Sequence, residues 1–199
     1  ATEDFSGRSE KLIACPVTSY VTLTRGMASL DIRTEIENNA KDHRLRVMFP
    51  TGLDTDVSHA EGHFDVVTRP IAIPEDWVNA ATARPQQGWV DVNDGKSGLC
   101  LINRGLPEYE LYDDVERTLA LTLLRSVARF VAGNEALALE TAGAQCLGVR
   151  AFEYSVYPHA GDWQAAQASR QAHEFNAPLY ARQTPAHDGD LPLEMGFVQ

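Results

Sequence analysis

Residues 30–37 alternate apolar and charged side chains with a period of two, and this alternation constrains the possible fold more than any other feature of the sequence. In the stretch LDIRTEIE, Leu30, Ile32 and Ile36 lie on one side of an extended chain, and the charged side chains lie on the other. Successive side chains of a β-strand point to opposite faces of the sheet. The pattern therefore predicts a strand with one buried and one solvated face.

Similar segments precede and follow this strand. In PVTSYVTLTRG (16–26) Val17, Val21 and Leu23 share one side, and the segment ends at the turn signal Arg25-Gly26. After two asparagines the alternation resumes in HRLRVMFP (43–50). We expect residues 30–37 and 43–50 to form a hairpin, because only a short Asn-rich turn separates them.

The chain continues in the same way as far as residue 159. Residues 51–62 are expected to form a polar loop, and residues 74–86 a long connection. Asp94-Gly95 and Arg104-Gly105 are turn signals of the kind that hairpins use. Further strands are predicted in the segments HFDVVTRPIAI, GWVDVND, GLCLIN, EYELYDD, TLALTLLRSV and AQCLGVRAFEYSVYPH.

Residues 161–176 have helical spacing. Their apolar side chains recur at helical intervals, and Gly161 or Asp162 is the expected cap. Many short strands and one late helix predict an all-β fold, an antiparallel β-sandwich (supersandwich-like) with one short helix near the C-terminus. We expect residues 1–199 to form a single domain, with loosely ordered ends at 1–15 and 182–199.

Composition excludes some classes of partner. The net charge of −11 argues against a nucleic-acid or anionic-membrane partner, since both need clustered cations. No stretch approaches the roughly 18 uninterrupted apolar residues that would span a bilayer. Cys15, Cys100 and Cys146 lie far apart, and the last two fall in apolar strand-like runs, which favours buried thiols in a reducing, cytoplasmic compartment.

The histidines offer no metal site. His59 and His63 lie four residues apart, but the predicted loop around them indicates solvated side chains rather than a helical ligand pair. His159 follows a strand and precedes the helix, where side chains often face a cleft, and as a single histidine it is expected to pack or to cap. The chain also lacks P-loop, HExxH and GxSxG motifs.

The carboxylates near residue 110 invite comparison with a glycosidase pair. Glu108 and Glu110 would lie about 7 Å apart on one strand face, whereas a retaining pair is nearer 5 Å and flanks the scissile bond from both sides. We interpret Glu108, Glu110, Asp113 and Asp114 as the solvated face of an edge strand. Arg104, on a turn after a buried strand, is well positioned to reach outward to a ligand. The residues supply no self-sufficient catalytic set.

Five segments, in order, resemble the C-terminal β-domain of glycoside hydrolase family 38, the α-mannosidase family. The form NRGLPEYE resembles bacterial members related to mannosylglycerate hydrolase more than the longer eukaryotic enzymes. The matching segments are TEIENNAKDHRLRVMFPTGL (34–53), FDVVTRPI (64–71), GWVDVNDGKSGLCLINRGLPEYEL (88–111), LALTLLRSV (119–127) and GAQCLGVRAFEYSVYPHAGDW (143–163).

The resemblance implies that this chain is a C-terminal fragment of a larger α-mannosidase-type enzyme. An N-terminal domain of the same polypeptide would carry the catalytic carboxylates and a zinc ion, and would hydrolyse α-mannosides with retention. No catalytic or metal-binding residue is expected here, so the fragment alone is predicted to be inactive. The sequence begins with Ala1 rather than Met, which also suggests a processed chain or a fragment.

The resemblance also implies a role for one tripeptide. Family members carry an Arg within an Asn-Arg-Gly loop that reaches the rim of the active site, and Asn103, Arg104 and Gly105 match it. Arg104 would bind substrate hydroxyls or a carboxylate beyond the scissile bond, or brace the domain interface, because its fork of donors fits paired oxygens. Gly105 would permit a turn with positive φ.

Two other functions remain open. The sandwich could be a free-standing carbohydrate-binding module, although Trp77, Trp89 and Trp163 are scattered along the sequence rather than grouped. It could also be a purely structural or dimerisation domain, and a homo-oligomer remains open in either case.

Overall fold

The computed structural model describes residues 12–78, 80–130, 139–186, 188–190 and 192. The predicted loose ends at 1–15 and 182–199 therefore lie largely outside the described residues. The helix α1 covers Ala168–Asn176, and a 3₁₀ turn covers Ala142–Gln145. The strands are β1 (Val17–Leu23), β2 (Leu30–Asn38), β3 (Arg44–Phe49), β4 (Val57–Glu61), β5 (Val66–Pro70), β6 (Arg84–Pro85), β7 (Trp89–Asn93), β8 (Ser97–Asn103), β9 (Glu108–Leu111), β10 (Leu119–Arg125), β11 (Arg129–Phe130), β12 (Leu139–Glu140) and β13 (Gly148–Ala160).

Two antiparallel sheets pack face to face, which confirms the predicted all-β antiparallel fold with one short helix. The larger sheet has the order β1-β2-β13-β8-β7-β4-β5, and the smaller has the order β3-β10-β9-β6. Val90, Leu101 and Tyr154 of the larger sheet meet Tyr109 and Leu121 of the smaller in the main core. Alternate residues of the same strands point away from this core, so the larger sheet also has an outer face.

The helix α1 covers part of that outer face. Ala168 and Ala172 are buried against Trp89, Cys100 and Ile102 in a second apolar cluster. The small alanine side chains let the helix approach the strands closely. The helix therefore lies over β7 and β8 and leaves the outer face of β1 and β2 uncovered by it.

The helix begins seven residues later than predicted. Gln167 has a left-handed φ of 52°, which interrupts the helical run, and the Asp162 side chain accepts a hydrogen bond from Ala165 N at 2.8 Å. Asp162 therefore caps the turn before α1 rather than the helix itself. The local spacing of alanines predicted the helical face but not this change of backbone conformation.

The predicted hairpin between residues 30–37 and 43–50 is wrong. β2 pairs with β1 and β13 in the larger sheet, whereas β3 pairs with β10 in the smaller sheet. Asn38 is fully buried, and its Nδ2 donates to the carbonyls of Gln145 and Cys146. These hydrogen bonds hold the end of β2 next to the start of β13. The chain then crosses to the other sheet.

The two hairpins β1–β2 and β7–β8 form at the predicted turn signals Arg25-Gly26 and Asp94-Gly95. The third signal, Arg104-Gly105, does not close a hairpin. It connects β8 of the larger sheet to β9 of the smaller one. The turn that carries Arg104 is thus a crossing between the two layers.

β1 is an edge strand whose seven residues are all exposed. Val17, Val21 and Leu23 pair with Ile36, Ile32 and Leu30 of β2, so they lie on the face that points toward the core. Ile32 packs against the main core, but no residue of β1 does. Val21 remains 62% exposed and Leu23 71% exposed, so β1 presents an apolar inner face that the smaller sheet does not cover.

Two local expectations need correction. Residues 57–61 form β4 rather than part of a polar loop. Cys146 follows the 3₁₀ turn with a left-handed φ of 50° and is half-buried, whereas a strand position was expected. Cys100 is buried as predicted, and burial raises the pKa of its thiol well above the usual value. Among the described residues, no helix has the length and apolar character needed to cross a membrane.

Candidate functional site

The Asn103-Arg104-Gly105 turn is held rigidly at the end of β8. Asn103 is fully buried, its Oδ1 accepts a hydrogen bond from Leu106 N at 2.7 Å, and its backbone N donates to Gly88 O at 2.8 Å. Gly105 has a φ of +73°, a conformation that L side chains rarely adopt. The predicted positive-φ turn is therefore confirmed, and it aims the side chain of Arg104 away from the core.

The guanidinium of Arg104 joins three separate parts of the chain. Nη1 donates to the carboxylate of Glu153 on β13, and Nη2 donates to Phe175 O in the last turn of α1 at 2.5 Å. The guanidinium also lies 4.7 Å from the centroid of the Phe175 ring. A cation at the C-terminal end of a helix is stabilised by the exposed carbonyls there. Arg104 thus fastens the end of α1 to the larger sheet.

Asn176 adds a second link between the helix end and the turn. Its Nδ2 donates to Asn103 O at 3.1 Å, one residue before Arg104. The turn and the end of α1 therefore support each other. Sequence reasoning identified the tripeptide but missed Glu153, Phe175 and Asn176, which lie about 50 to 70 residues further along the chain.

The side chain of Arg104 borders a depression on the outer face of the larger sheet. We call it the Arg104 groove: it has a volume of about 490 Å³ and lies between β1–β2 on one side and α1 on the other. Its apolar lining includes Tyr20, Met27, Ile102 and Phe175. About half of the Arg104 side chain is exposed, so the groove is accessible to a ligand.

Glu108 and Glu110 are not the solvated face of an edge strand, contrary to the prediction. β9 lies between β10 and β6, Glu110 is only 7% exposed, and its carboxylate pairs with Arg46 Nη1 at 2.5 Å. Glu108 accepts a hydrogen bond from Thr122 Oγ1 at 2.7 Å. Asp113 and Asp114 are exposed, but they lie in the loop after β9 rather than on the strand.

The electrostatics of Glu108 do not suit a general acid. Burial, the largest single influence, raises the pKa of its carboxyl, but the Thr122 hydroxyl and the guanidinium groups of Arg44, Arg125 and Arg46 outweigh it. The net pKa of Glu108 is therefore lowered. A glycosidase acid needs a raised pKa so that it holds a proton to donate, and Glu108 lacks this property.

His59 differs from its expected surroundings, and His159 has a partner that was not expected. His59 lies on β4, half-buried, with its ring 6.1 Å from that of Trp163, while His63 is exposed in the following turn. His159 packs as expected, yet its Nε2 lies 2.6 Å from Asp91 Oδ2, and both side chains are buried. Sequence reasoning missed Asp91, although its position two residues after Trp89 puts both on the outer face beneath the segment that leads to α1.

The described residues do not fit a zinc site. No group of three or more His, Cys, Asp or Glu side chains within the described part of the chain could hold a metal ion. The His159–Asp91 pair supplies two such groups, and each is already satisfied by the other.

The comparisons with known proteins identify the family. The model of the "Glycosyl hydrolases family 38 C-terminal domain" matches residues 7–129. A protein named "Putative mannosylglycerate hydrolase" from Halalkalibacterium halodurans is 33% identical over 194 residues, which cover 98% of this chain and 21% of that protein. The chain belongs to glycoside hydrolase family 38, as its C-terminal domain.

Solved and more distant relatives agree with this assignment. A crystal structure of an alpha-mannosidase from Enterococcus faecalis matches with a TM-score of 0.82 and 35% identity, over 92% of this chain and 20% of that one. The alpha-mannosidase of Saccharomyces cerevisiae is 24% identical over 81% of this chain and 14% of its own length. The chain thus spans about a fifth or less of the length of these relatives.

Proposed function

We propose that this chain is the non-catalytic β-domain of an α-mannosidase-like, retaining glycoside hydrolase, and that it completes the substrate cleft of a catalytic domain on the same polypeptide. The observation that carries the proposal is the rigid, accessible Arg104 at the border of a groove, in a domain of family 38 that spans a fifth of its relatives. The absent N-terminal domain would hold the zinc ion and the catalytic carboxylates.

Arg104 would contact the part of a mannoside that lies beyond the scissile bond. A guanidinium has five N–H donors in a fixed plane. The contacts with Glu153 and Phe175 use one N–H group of Nη1 and one N–H group of Nη2. The remaining donors suit neighbouring hydroxyl oxygens. Asn103 and Gly105 would act through Arg104, because they set the turn that aims it.

The apolar inner face of β1 supports an interface with the missing part of the polypeptide. Val17, Val21 and Leu23 are exposed side by side in a strand that packs on no other layer. Contiguous exposed apolar surface commonly marks an interaction site. A cytoplasmic location, consistent with the free cysteines at positions 15, 100 and 146, belongs to the same proposal.

The direct test is an Arg104→Ala substitution in the full polypeptide that contains this chain. We expect kcat/KM for an α-mannoside to fall roughly 10- to 100-fold, because a hydrogen bond from a charged donor is lost. Arg104→Lys should recover little, since a single ammonium cannot reproduce the planar fork. An unchanged kcat/KM would support a purely structural domain instead.

Arg129→Ala is the matched control for that experiment. Arg129 is an exposed arginine on β11 that pairs with Glu140 on β12, and neither residue lines the Arg104 groove. Its loss should leave kcat/KM within about twofold, since exposed pairs contribute little. The isolated 199-residue chain should hydrolyse no α-mannoside even with added zinc, and reproducible zinc-dependent hydrolysis by it would contradict the proposal.

The carbohydrate-binding alternative is weakened by where the tryptophans lie. Trp89 is fully buried and contacts Trp163, which is itself partly buried, and Trp77 is exposed in the 74–86 connection. They do not form one exposed face for stacking on sugar rings. Titration of the isolated chain with oligomannosides, followed by tryptophan fluorescence, would restore this alternative if it saturated at micromolar concentration.

A further inference from the structure

The two cations that line the Arg104 groove are already paired with carboxylates. The lining contains two guanidinium groups, those of Arg33 and Arg104, and three carboxylates, those of Asp31, Glu153 and Glu174. Arg104 pairs with Glu153. Arg33 pairs with Glu35, which lies outside the lining. The groove therefore offers no uncompensated positive charge to an anionic ligand.

Glu153 is fixed beside Arg104 by the strand that carries it. Its backbone carbonyl accepts a hydrogen bond from Arg104 N at 3.1 Å, and β13 places it directly opposite Arg33 of β2. Glu153 and Arg33 are therefore neighbours on the outer face of the larger sheet. The neighbouring strands thus hold the backbone of Glu153 in place, and its half-exposed carboxylate pairs with Arg104.

The geometry at Arg104 also disfavours a carboxylate. The strongest contact between arginine and a carboxylate uses two parallel N–H groups. Here Nη1 donates to Glu153 and Nη2 donates to Phe175 O, so one N–H group of each Nη atom is already used and a ligand carboxylate would have to share Nη1 with the carboxylate of Glu153. A negative ligand would in addition meet the charge of Glu153 itself.

The remaining lining suits an uncharged, hydroxyl-rich group. Asp31 Oδ1 accepts from Ser155 and Glu174 Oε1 accepts from Arg170, so the second oxygen of each carboxylate is the acceptor for hydroxyl donors. The half-exposed ring of Tyr20 faces the groove together with that of Phe175. Carboxylate acceptors beside aromatic faces satisfy both the polar and the apolar surfaces of a sugar or a polyol.

We propose that Glu153 makes the Arg104 groove selective for a neutral polyol group over a carboxylate-bearing one. This inference rests on the proposed function, in which Arg104 contacts the group beyond the scissile bond. Glu153 acts through Arg104, so it is a specificity-determining residue and not a catalytic one. The selectivity comes from a built-in carboxylate that already pairs with Arg104 and repels a carboxylate on the ligand.

The test compares two substrates that differ in one group, α-mannosylglycerol and α-mannosylglycerate, with the full polypeptide. The measured quantity is the ratio of kcat/KM for the glycerate substrate to that for the glycerol substrate. The wild type should favour the glycerol substrate. Glu153→Gln, which keeps the shape of the side chain, should raise the ratio roughly two- to fivefold, because a competing charge is removed.

Glu37→Gln serves as the matched control for charge. Glu37 is an exposed glutamate on the face of β2 that carries Asp31 and Arg33, but it lies outside the groove lining. Its substitution changes the net charge by the same amount and should leave the ratio within about 1.5-fold, since an exposed and distant charge is screened by salt. A ratio of two rates on one preparation does not depend on the fraction of folded enzyme.

Two results would overturn the inference while leaving the proposed function intact. One is a wild type that favours the glycerate substrate, and the other is an equal ratio in Glu153→Gln and Glu37→Gln. If Arg104→Ala leaves kcat/KM unchanged for both substrates, or if the full polypeptide hydrolyses neither, the proposed function itself fails and the inference fails with it.

Discussion

The buried pair of Asp91 and His159 illustrates how single residues determine the outer face of the larger sheet. Asp91 Oδ1 accepts a hydrogen bond from Asn93 Nδ2 at 2.7 Å, while Oδ2 contacts His159. Burial raises the pKa of Asp91, against the opposing effects of these two hydrogen bonds. Gly98 provides the space for the imidazole, because a Cβ there would lie 2.3 Å from His159 Cε1.

His59 makes the stability of this region depend on pH. Burial lowers the pKa of His59 below its usual value of 6.5, although the charges of Asp91 and Asp162 partly oppose this effect. A base with a lowered pKa in the folded state contributes stability above its unfolded pKa and loses that contribution as the pH falls. We expect the free energy of unfolding to decrease as the pH falls from 7.5 to 5.5.

His59→Gln should make that decrease smaller, which urea unfolding of the 199-residue chain at each pH can measure. His63→Gln is the control, because His63 is exposed in the adjacent turn. A pH profile of His59→Gln that superimposes on that of the unmodified chain would contradict the prediction.

At the scale of elements, the smaller sheet depends on a layer of paired charges. Arg46 of β3 pairs with Glu110 of β9, and both side chains are 9% exposed. Arg46 also donates to Tyr112 Oη at 2.6 Å, while its Nε and Nη2 have no partner among the described residues. Glu110 therefore supplies the countercharge of Arg46.

Glu110→Gln should destabilise the 199-residue chain by about 3 kcal/mol, because it leaves the buried guanidinium without a countercharge. Glu140→Gln removes the partner of Arg129 in the exposed pair between β11 and β12 and should change stability by less than about 1 kcal/mol. Urea unfolding of both variants tests the contrast. Equal effects would show that burial of the pair is unimportant.

The elements also show what local sequence patterns can predict. The alternation in residues 30–37 correctly predicted a strand, because side-chain period is a property of the strand itself. It could not predict the partner of that strand, since Ile36 would be covered equally well in either sheet. Glu110 was misassigned for the same reason: a charged residue on an alternating strand indicates solvent unless Arg46, 64 residues away, is known to lie opposite.

The candidate site was predictable in part. The turn and its positive φ could be predicted because they depend on one contiguous tripeptide, Asn103-Arg104-Gly105. The contacts that give Arg104 its orientation come from β13 and from α1, and no local pattern links those residues to the turn. Sequence thus indicated which residue to consider but not what holds it.

At the scale of the whole molecule, β1 extends the larger sheet beyond the cover of the smaller one. Val21→Lys should change the stability of the 199-residue chain by less than about 1 kcal/mol, because the side chain is exposed and lysine is tolerated on edge strands. In the full polypeptide the same change should lower stability by at least ~2 kcal/mol, since a charge would enter the proposed interface.

Thr18→Lys is the control for that comparison, because Thr18 is exposed on the opposite face of the same strand. It should have a small effect in both proteins. Thermal unfolding of the isolated chain and of the full polypeptide, each with both variants, provides the measurement. Equal sensitivity of the full polypeptide to both variants would argue against an interface on the inner face of β1.

The contacts of Arg104 also have a consequence for the order of folding. The hydrogen bonds to Glu153 and Phe175 join residues 49 and 71 positions apart in the chain. Such non-local contacts form late, because long loops must close first. During synthesis, Arg104 leaves the ribosome well before either partner exists. The guanidinium can therefore reach its final orientation only when translation has nearly finished the domain, so the groove is among the last features of the domain to mature.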